Sequence, residues 1–164
     1  AIGVEQLKKL SGLVATRQHI AERLTHGLMH LPGLRPPIVA AQCTHAYYVY
    51  PIVLDVAQLG VSRARICQAL EAEGVVGLAP GYQNLHLLPM YQQKMAYGSR
   101  GFPWTSDICH REVNYLRGIC PVAEELHESG YLGFAMCLHD LSDQDVDLIL
   151  MAFTKVWNGM ESLR

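Results

Sequence analysis

The sequence predicts an α+β fold, a small antiparallel or mixed sheet covered by helices. Three observations predict it. Helical and extended patterns follow one another in the order helix, strand, helix, strand, long loop, helix, strand, helix. Most connections are short enough for the strands to share one sheet. The 164 residues, 50% of them hydrophobic, suffice for one compact domain with a real core, residues 1–164.

The first element is the longest. Val4, Leu7, Leu10, Val14, Ala21, Leu24, Leu28 and Leu31 recur at spacings of three and four, with one step of seven from Val14 to Ala21, widened by Leu13 and Ile20. This stripe predicts an amphipathic helix over about residues 2–30, stopped by Pro32 and Gly33. Such a stripe suits a core helix of this domain, or a helix that also packs on a body larger than its own segment. "LRPPIVAAQCTH" reads as a proline-rich connection, and "HAYYVYPIVLD", 45–55, as a strand in which Pro51 demands an edge, a bulge or a strand end. "SRARICQALEAEG" predicts a short helix capped by Ser62 and ended by a left-handed Gly74. "VVGL" is a short strand candidate.

From Ala79 to Ile119 no period is sustained, and glycine and proline punctuate the turns, which predicts an extended loop region. "CPVAEELHESG" restarts a helix with Pro121 at its first position and Gly130 as terminator, and "YLGFAMCL" is a strand. Ser142 then caps a last helix with Val146, Ile149, Leu150, Phe153 and Trp157 on one face and Asp145 in capping-box position.

Composition narrows the function classes. A net charge of −2 gives no electrostatic footprint for nucleic acid or an anionic membrane, and no apolar run approaches a bilayer span. Cys43, Cys67, Cys109, Cys120 and Cys137 are odd in number and form no CxxC pair, which reads as reduced thiols in a cytoplasmic protein. The chain opens "AIGVEQLKKLSGLV", with no Met, no targeting signature and no helix cap, so the expectation is a piece of a longer protein cut at or within a helix.

Candidate chemistry is sparse. His110 beside Cys109, with Cys120, His127, Cys137 and His139 downstream, lacks the two close ligand pairs of a zinc site, so no metal is expected. No GxSxG elbow, GxxxxGK[ST] or GxGxxG occurs, and Arg100 in "YGSRGFPW" reads as a solvated loop arginine that could meet an anion. Of the lysines, Lys8, Lys9 and Lys155 lie on polar helix faces and Lys94 in a polar loop, none in an evident setting for a Schiff base. No catalytic residue is assigned. One stretch is richer than a connector needs: "GYQNLHLLPMY", 81–91, sets Tyr82, Asn84, His86 and Tyr91 among leucines and Met90, with Pro89 forbidding a long helix.

Five segments in order carry a resemblance. "AIGVEQLKKLSGLVATRQHIAERLTHGLMHLPGLRPP", "HAYYVYPIVLD", "LHLLPMY", "CPVAEEL" and "LSDQDVDLILMAFTKV" resemble, nearly end to end, the C-terminal region of the DegT/DnrJ/StrS family of sugar aminotransferases. The resemblance implies the small C-terminal domain of an aspartate-aminotransferase-like fold, with the large cofactor-binding domain absent. It also implies a homodimeric enzyme that uses pyridoxal phosphate to move an amino group, commonly from glutamate, onto a keto-sugar, often nucleotide-linked, or a related cyclitol. The Schiff-base lysine, the partner of the pyridine nitrogen and the phosphate contacts would lie in the missing domain, so this piece alone should be inactive. The resemblance makes His86, with Tyr82 and Asn84, the substrate side of the cleft. The bland alternative is a histidine satisfied by backbone in a packed loop. Two departures, "GYQN" before the histidine and a long run from Gln92 to Gly118, bear on the substrate. A competing class is a non-enzymatic interaction module that docks a partner on the first helix's stripe.

Overall fold

The computed structural model describes residues 2–164. The chain forms two compact units, one comprising the segment up to Pro80 with Ser129–Arg164, the other Gly81–Glu128.

In the first unit the helical stripe becomes two helices, α1 (Ile2–Leu7) and α2 (Leu10–Leu28), where a single helix over 2–30 is expected. The interruption is local: Lys9 keeps right-handed helical dihedrals, but its amide turns to the Gln6 carbonyl at 3.0 Å. Burial divides the stripe. Ile20, Ala21, Leu24 and Leu28 are buried, whereas Ile2, Val4, Leu7, Leu10 and Leu13 are exposed.

A four-stranded antiparallel sheet carries the core, in the order β1 (Leu34–Arg35), β2 (Tyr50–Leu54), β4 (Tyr131–Phe134), β3 (Leu78–Ala79). The expected strand 45–55 starts only at Tyr50 because Tyr47 takes a left-handed conformation, φ 49°, with its amide donating to His45 Nδ1 at 2.8 Å. Pro51 pairs with Gly133 of β4, while β1 reaches only Val53 and Leu54, so the other side of β2 is open at the proline. The candidate "VVGL" shifts to Leu78–Ala79, because Gly77 turns at φ 82° and its carbonyl accepts from Ala135 at 2.9 Å. The strand expected over 131–138 ends at Phe134 and passes into a 3-10 turn, Met136–Leu138.

The helices fall close to their signals. A short α3 (Val56–Leu59), which the periodicity does not announce, is capped by Asp55, whose carboxylate accepts from the Gln58 amide at 2.9 Å. Next, α4 (Arg63–Ala72) starts at Ser62 and is followed by Gly74 at φ 90°. The last helix, α7 (Asp143–Asn158), carries a complete Ser142–Asp145 capping box. It packs along α2, where Gly27 leaves room for Leu150: a Cβ there would meet Leu150 Cδ2 at 2.5 Å. Polar contacts fix the pair, Arg23 to Asp143 at 2.7 Å and Asp147 at 2.5 Å, His19 to Asp143 at 2.8 Å. Leu24, Leu28, Tyr50, Ile52, Ile66, Leu132, Val146 and Phe153 form the fully buried centre. The Trp157 indole closes one end by donating to the Pro32 carbonyl at 2.9 Å.

The second unit is the long loop region. Its regular pieces are one 3-10 turn (Leu85–Leu87), α5 (Pro89–Gln92) and α6 (Pro121–Glu125), which continues as a wider π-type turn, Leu126–Gly130, into the first unit.

Candidate functional site

The geometry of the second unit starts from one carboxylate. Glu124, in the first turns of α6 behind Cys120 and Pro121, is buried. Its carboxylate accepts from the Gly118 amide at 2.9 Å to each oxygen, from the Cys120 amide at 3.3 Å, and from His86 Nε2 at 2.8 Å. Burial pushes the Glu124 carboxyl up, but the Gly118 amide, the His86 ring and the Cys120 amide outweigh it and hold the group below the usual carboxylate range. An ionised carboxylate only accepts, so Nε2 of His86 is the donor and a neutral ring keeps its acceptor on Nδ1. The His86 side chain is only 11% exposed.

The pair ties the start of the irregular segment to its end. Gln92 Nε2 adds a second tie, donating to the His86 carbonyl at 2.7 Å and to the Tyr115 carbonyl at 2.6 Å. Between these ties an aromatic triangle forms. Tyr91 lies 5.2 Å from Tyr115 and 6.3 Å from Trp104, ring centre to ring centre, and the Trp104 indole donates to the Tyr115 hydroxyl at 3.0 Å.

The three residues singled out in "GYQNLHLLPMY" sit differently. Tyr82 is exposed, with its amide donating to His127 Nδ1 at 3.0 Å. Asn84 precedes the 3-10 turn and is partly buried; its Oδ1 is shut off from solvent and has no hydrogen-bond partner among the described residues. His86 is satisfied, but by a carboxylate rather than by backbone. Sequence reasoning passed over Glu124; the signal was an acidic residue in the first turns of a helix opened by Pro121, close behind Gly118.

The lysines decide whether these residues alone fit a pyridoxal group. Lys8 pairs with Glu5 at 2.7 Å and Lys155 with Glu73 at 2.6 Å, Lys9 is exposed, and Lys94 is half-buried in the loop. A Schiff-base lysine needs a desolvated setting. None of the four has one, so the residues of this chain do not by themselves make that site. Among the described residues no cluster of His, Cys, Asp or Glu could hold a metal ion.

The fold has solved counterparts. The chain superposes on the crystal structure of an aminotransferase, TlmJ, from Streptoalloteichus hindustanus, with a TM-score of 0.66 and 28% identity, over 99% of this chain and 36% of that one. It is 32% identical over 161 residues to the spore coat polysaccharide biosynthesis protein SpsC of Bacillus subtilis, covering 98% of this chain and 36% of that protein. It is 27% identical over 114 residues to the uncharacterized protein MJ1066 of Methanocaldococcus jannaschii, covering 70% of this chain and 29% of that protein. The family model of the DegT/DnrJ/EryC1/StrS aminotransferases matches residues 1–122. The chain belongs to the DegT/DnrJ/EryC1/StrS aminotransferase family. It spans about a third of the length of the relatives it matches.

Proposed function

We propose that this chain is the C-terminal part of a pyridoxal-phosphate-dependent aminotransferase that acts on a keto-sugar, nucleotide-linked or a related cyclitol, and that its second unit forms the substrate side of the site. The cofactor and its lysine belong, on this reading, to a part of the protein other than these residues. Glutamate or a similar amino acid is the amino donor, and the working form is a cytoplasmic homodimer.

The observation that carries the reading is the buried Oδ1 of Asn84, without a hydrogen-bond partner among the described residues and two residues from the clamped His86. A buried acceptor left unpaired is costly, and a donor on a ligand, such as a sugar hydroxyl or amine, would satisfy it. Membership of the family and the polysaccharide role in the printed name of SpsC support a sugar as that ligand. With His86 held by Glu124, the segment would present Asn84 and Tyr82 in a fixed array.

The test uses the full native protein, incubated with pyridoxal phosphate, reduced with borohydride and mapped by mass spectrometry. One label on a lysine other than Lys8, Lys9, Lys94 and Lys155 is expected. Absent or scattered labelling would remove the catalytic claim. The interaction-module reading would then lead, favoured by the exposed Ile2, Val4, Leu7, Leu10 and Leu13 face. Sedimentation of the same protein should give a dimer; a strict monomer at high concentration would count against the homodimer.

A further inference from the structure

In the first unit Tyr47 is a buried aromatic residue on a left-handed backbone, φ 49°, and Gln42 shares that conformation at φ 63°. Side chains other than those of Asn, Asp and Gly disfavour it, a bulky one most of all, and residues held in this way cluster at ligand sites. Between the two turns lies His45, which the fold fixes twice. Gln18 of α2 donates to its carbonyl at 3.1 Å, and its ring Nδ1 accepts from the Tyr47 amide at 2.8 Å. The ring also packs on that of Tyr47, 4.3 Å from centre to centre. With Nδ1 used as an acceptor, the neutral ring carries its hydrogen on Nε2, so the tautomer is set before any ligand arrives.

These residues line a cavity of about 610 Å³, a volume suited to a small molecule. Glu22, His26 and Met29 enter it from α2 and its C-terminal cap, and Val39, His45 and Tyr47 from the segment between β1 and β2. The Glu22 carboxylate makes no ion pair or hydrogen bond among the described residues. Burial, and after it the Glu22 carboxylate, pushes the Tyr47 hydroxyl's pKa up, so the phenol stays a donor. Tyr47 therefore stands in ring contact with His45 and within the field of Glu22, which sets one acceptor and two donors about a single side chain.

A carboxylate on one side and neutral N–H and O–H donors on the other complement a zwitterion. An ammonium group satisfies Glu22, and a ligand carboxylate accepts from His45 Nε2 and the Tyr47 hydroxyl. The exposed Met29 and Val39 offer apolar surface to the remainder of the ligand, and a second negative charge there would meet Glu22 with no cation to offset it. We propose that Glu22, His45 and Tyr47 form a binding site for a free α-amino acid with an apolar side chain. The proposal uses the first unit alone and does not rest on the transferase reading.

The experiment takes the full native protein, treats it with pyridoxal phosphate and borohydride so that no cofactor is left free to react with an amino acid, and titrates L-leucine by calorimetry. L-Leucinamide, which lacks the carboxylate, N-acetyl-L-leucine, which lacks the ammonium, and L-glutamate, which adds a charge, should each bind at least about tenfold more weakly. E22Q removes the acceptor's charge, H45N keeps an acceptor for the Tyr47 amide but removes the Nε2 donor, and H30N, outside the cavity, is the control. E22Q and H45N should each weaken leucine about tenfold, and H30N should leave it unchanged. No binding of leucine by the unaltered protein, or unchanged binding by E22Q and H45N, overturns the site. Leucinamide or N-acetyl-leucine binding as tightly as leucine overturns it without recourse to any variant, and glutamate binding more tightly overturns the apolar class. Failure to fix cofactor bears on the transferase reading alone, since the leucine titration is read in either case.

Discussion

The two units of this chain reach order by different physics. The first buries a continuous apolar centre, from Leu24 and Leu28 on α2 through Tyr50, Ile52 and Leu132 of the sheet to Phe153 on α7. The second contributes no residue to that buried apolar core. It is held by Glu124 and its four accepted bonds, by the two bonds of the Gln92 amide, and by the Tyr91, Trp104 and Tyr115 triangle. Hydrophobic burial is non-directional and shared among many packed side chains, so a loss at one is felt throughout the core. A polar clasp is specific and fails at one residue, because each partner it releases is left unpaired.

That contrast can be broken by substitution. Phe153→Ala should have the largest effect, about 3–5 kcal/mol, read as lost hydrogen-exchange protection throughout β2, β4 and α7. A loss confined to α7 would mean that the first unit is not one cooperative core. Glu124→Ala should act in the other region alone. The Gly118 and Cys120 amides should lose protection and proteases should cut within 81–128, while β2 and β4 keep theirs. Acid should mimic it. The Glu124 carboxyl lies below its ordinary 4.5 in the folded protein, so its contribution is complete above that value and is lost as pH falls through the lower native one. Opening at Gly118 should therefore rise only below pH 4.5; a rise nearer neutrality would assign the clasp to another group. Smallest is Ser142→Ala, which removes one side of the capping box at a cost of about 1 kcal/mol, confined to the first turn of α7.

The same contrast explains what could be read from the sequence. Val146, Phe153 and Trp157 on one face behind Ser142, and Gly74 and Pro121 as stop and start, declare themselves through period and local chemistry, and the structure keeps all of them. Strand limits fare worse, because Tyr47 and Gly77 turn the chain through side-chain and backbone bonds that no alternation records. The helix over 2–30 breaks near Lys8 and Lys9, where the stripe has nothing buried beneath it. In the second unit His86 stands out in "LHLLPMY", but its partner lies 38 positions away. Glu124 gains its last bond from His86, which only the folded chain brings to it, so a linear reading sees an ordinary acidic residue at a helix start.

The antiparallel pairing of β3 with β4, Leu78 against Phe134 and Ala79 against Gly133, has a consequence for how this chain can change. The polypeptide leaves the sheet on one strand and re-enters on its hydrogen-bonded neighbour, so everything between is an insertion across a single ladder. Lengthening such an insertion is thermodynamically mild, since closure entropy grows with the logarithm of loop length and doubling it costs about 0.6 kcal/mol. Insertions, deletions and new side chains between Ala79 and Tyr131 leave the register of the ladder untouched. The topology thus separates the part of the sequence free to diversify from the part that must keep its pattern.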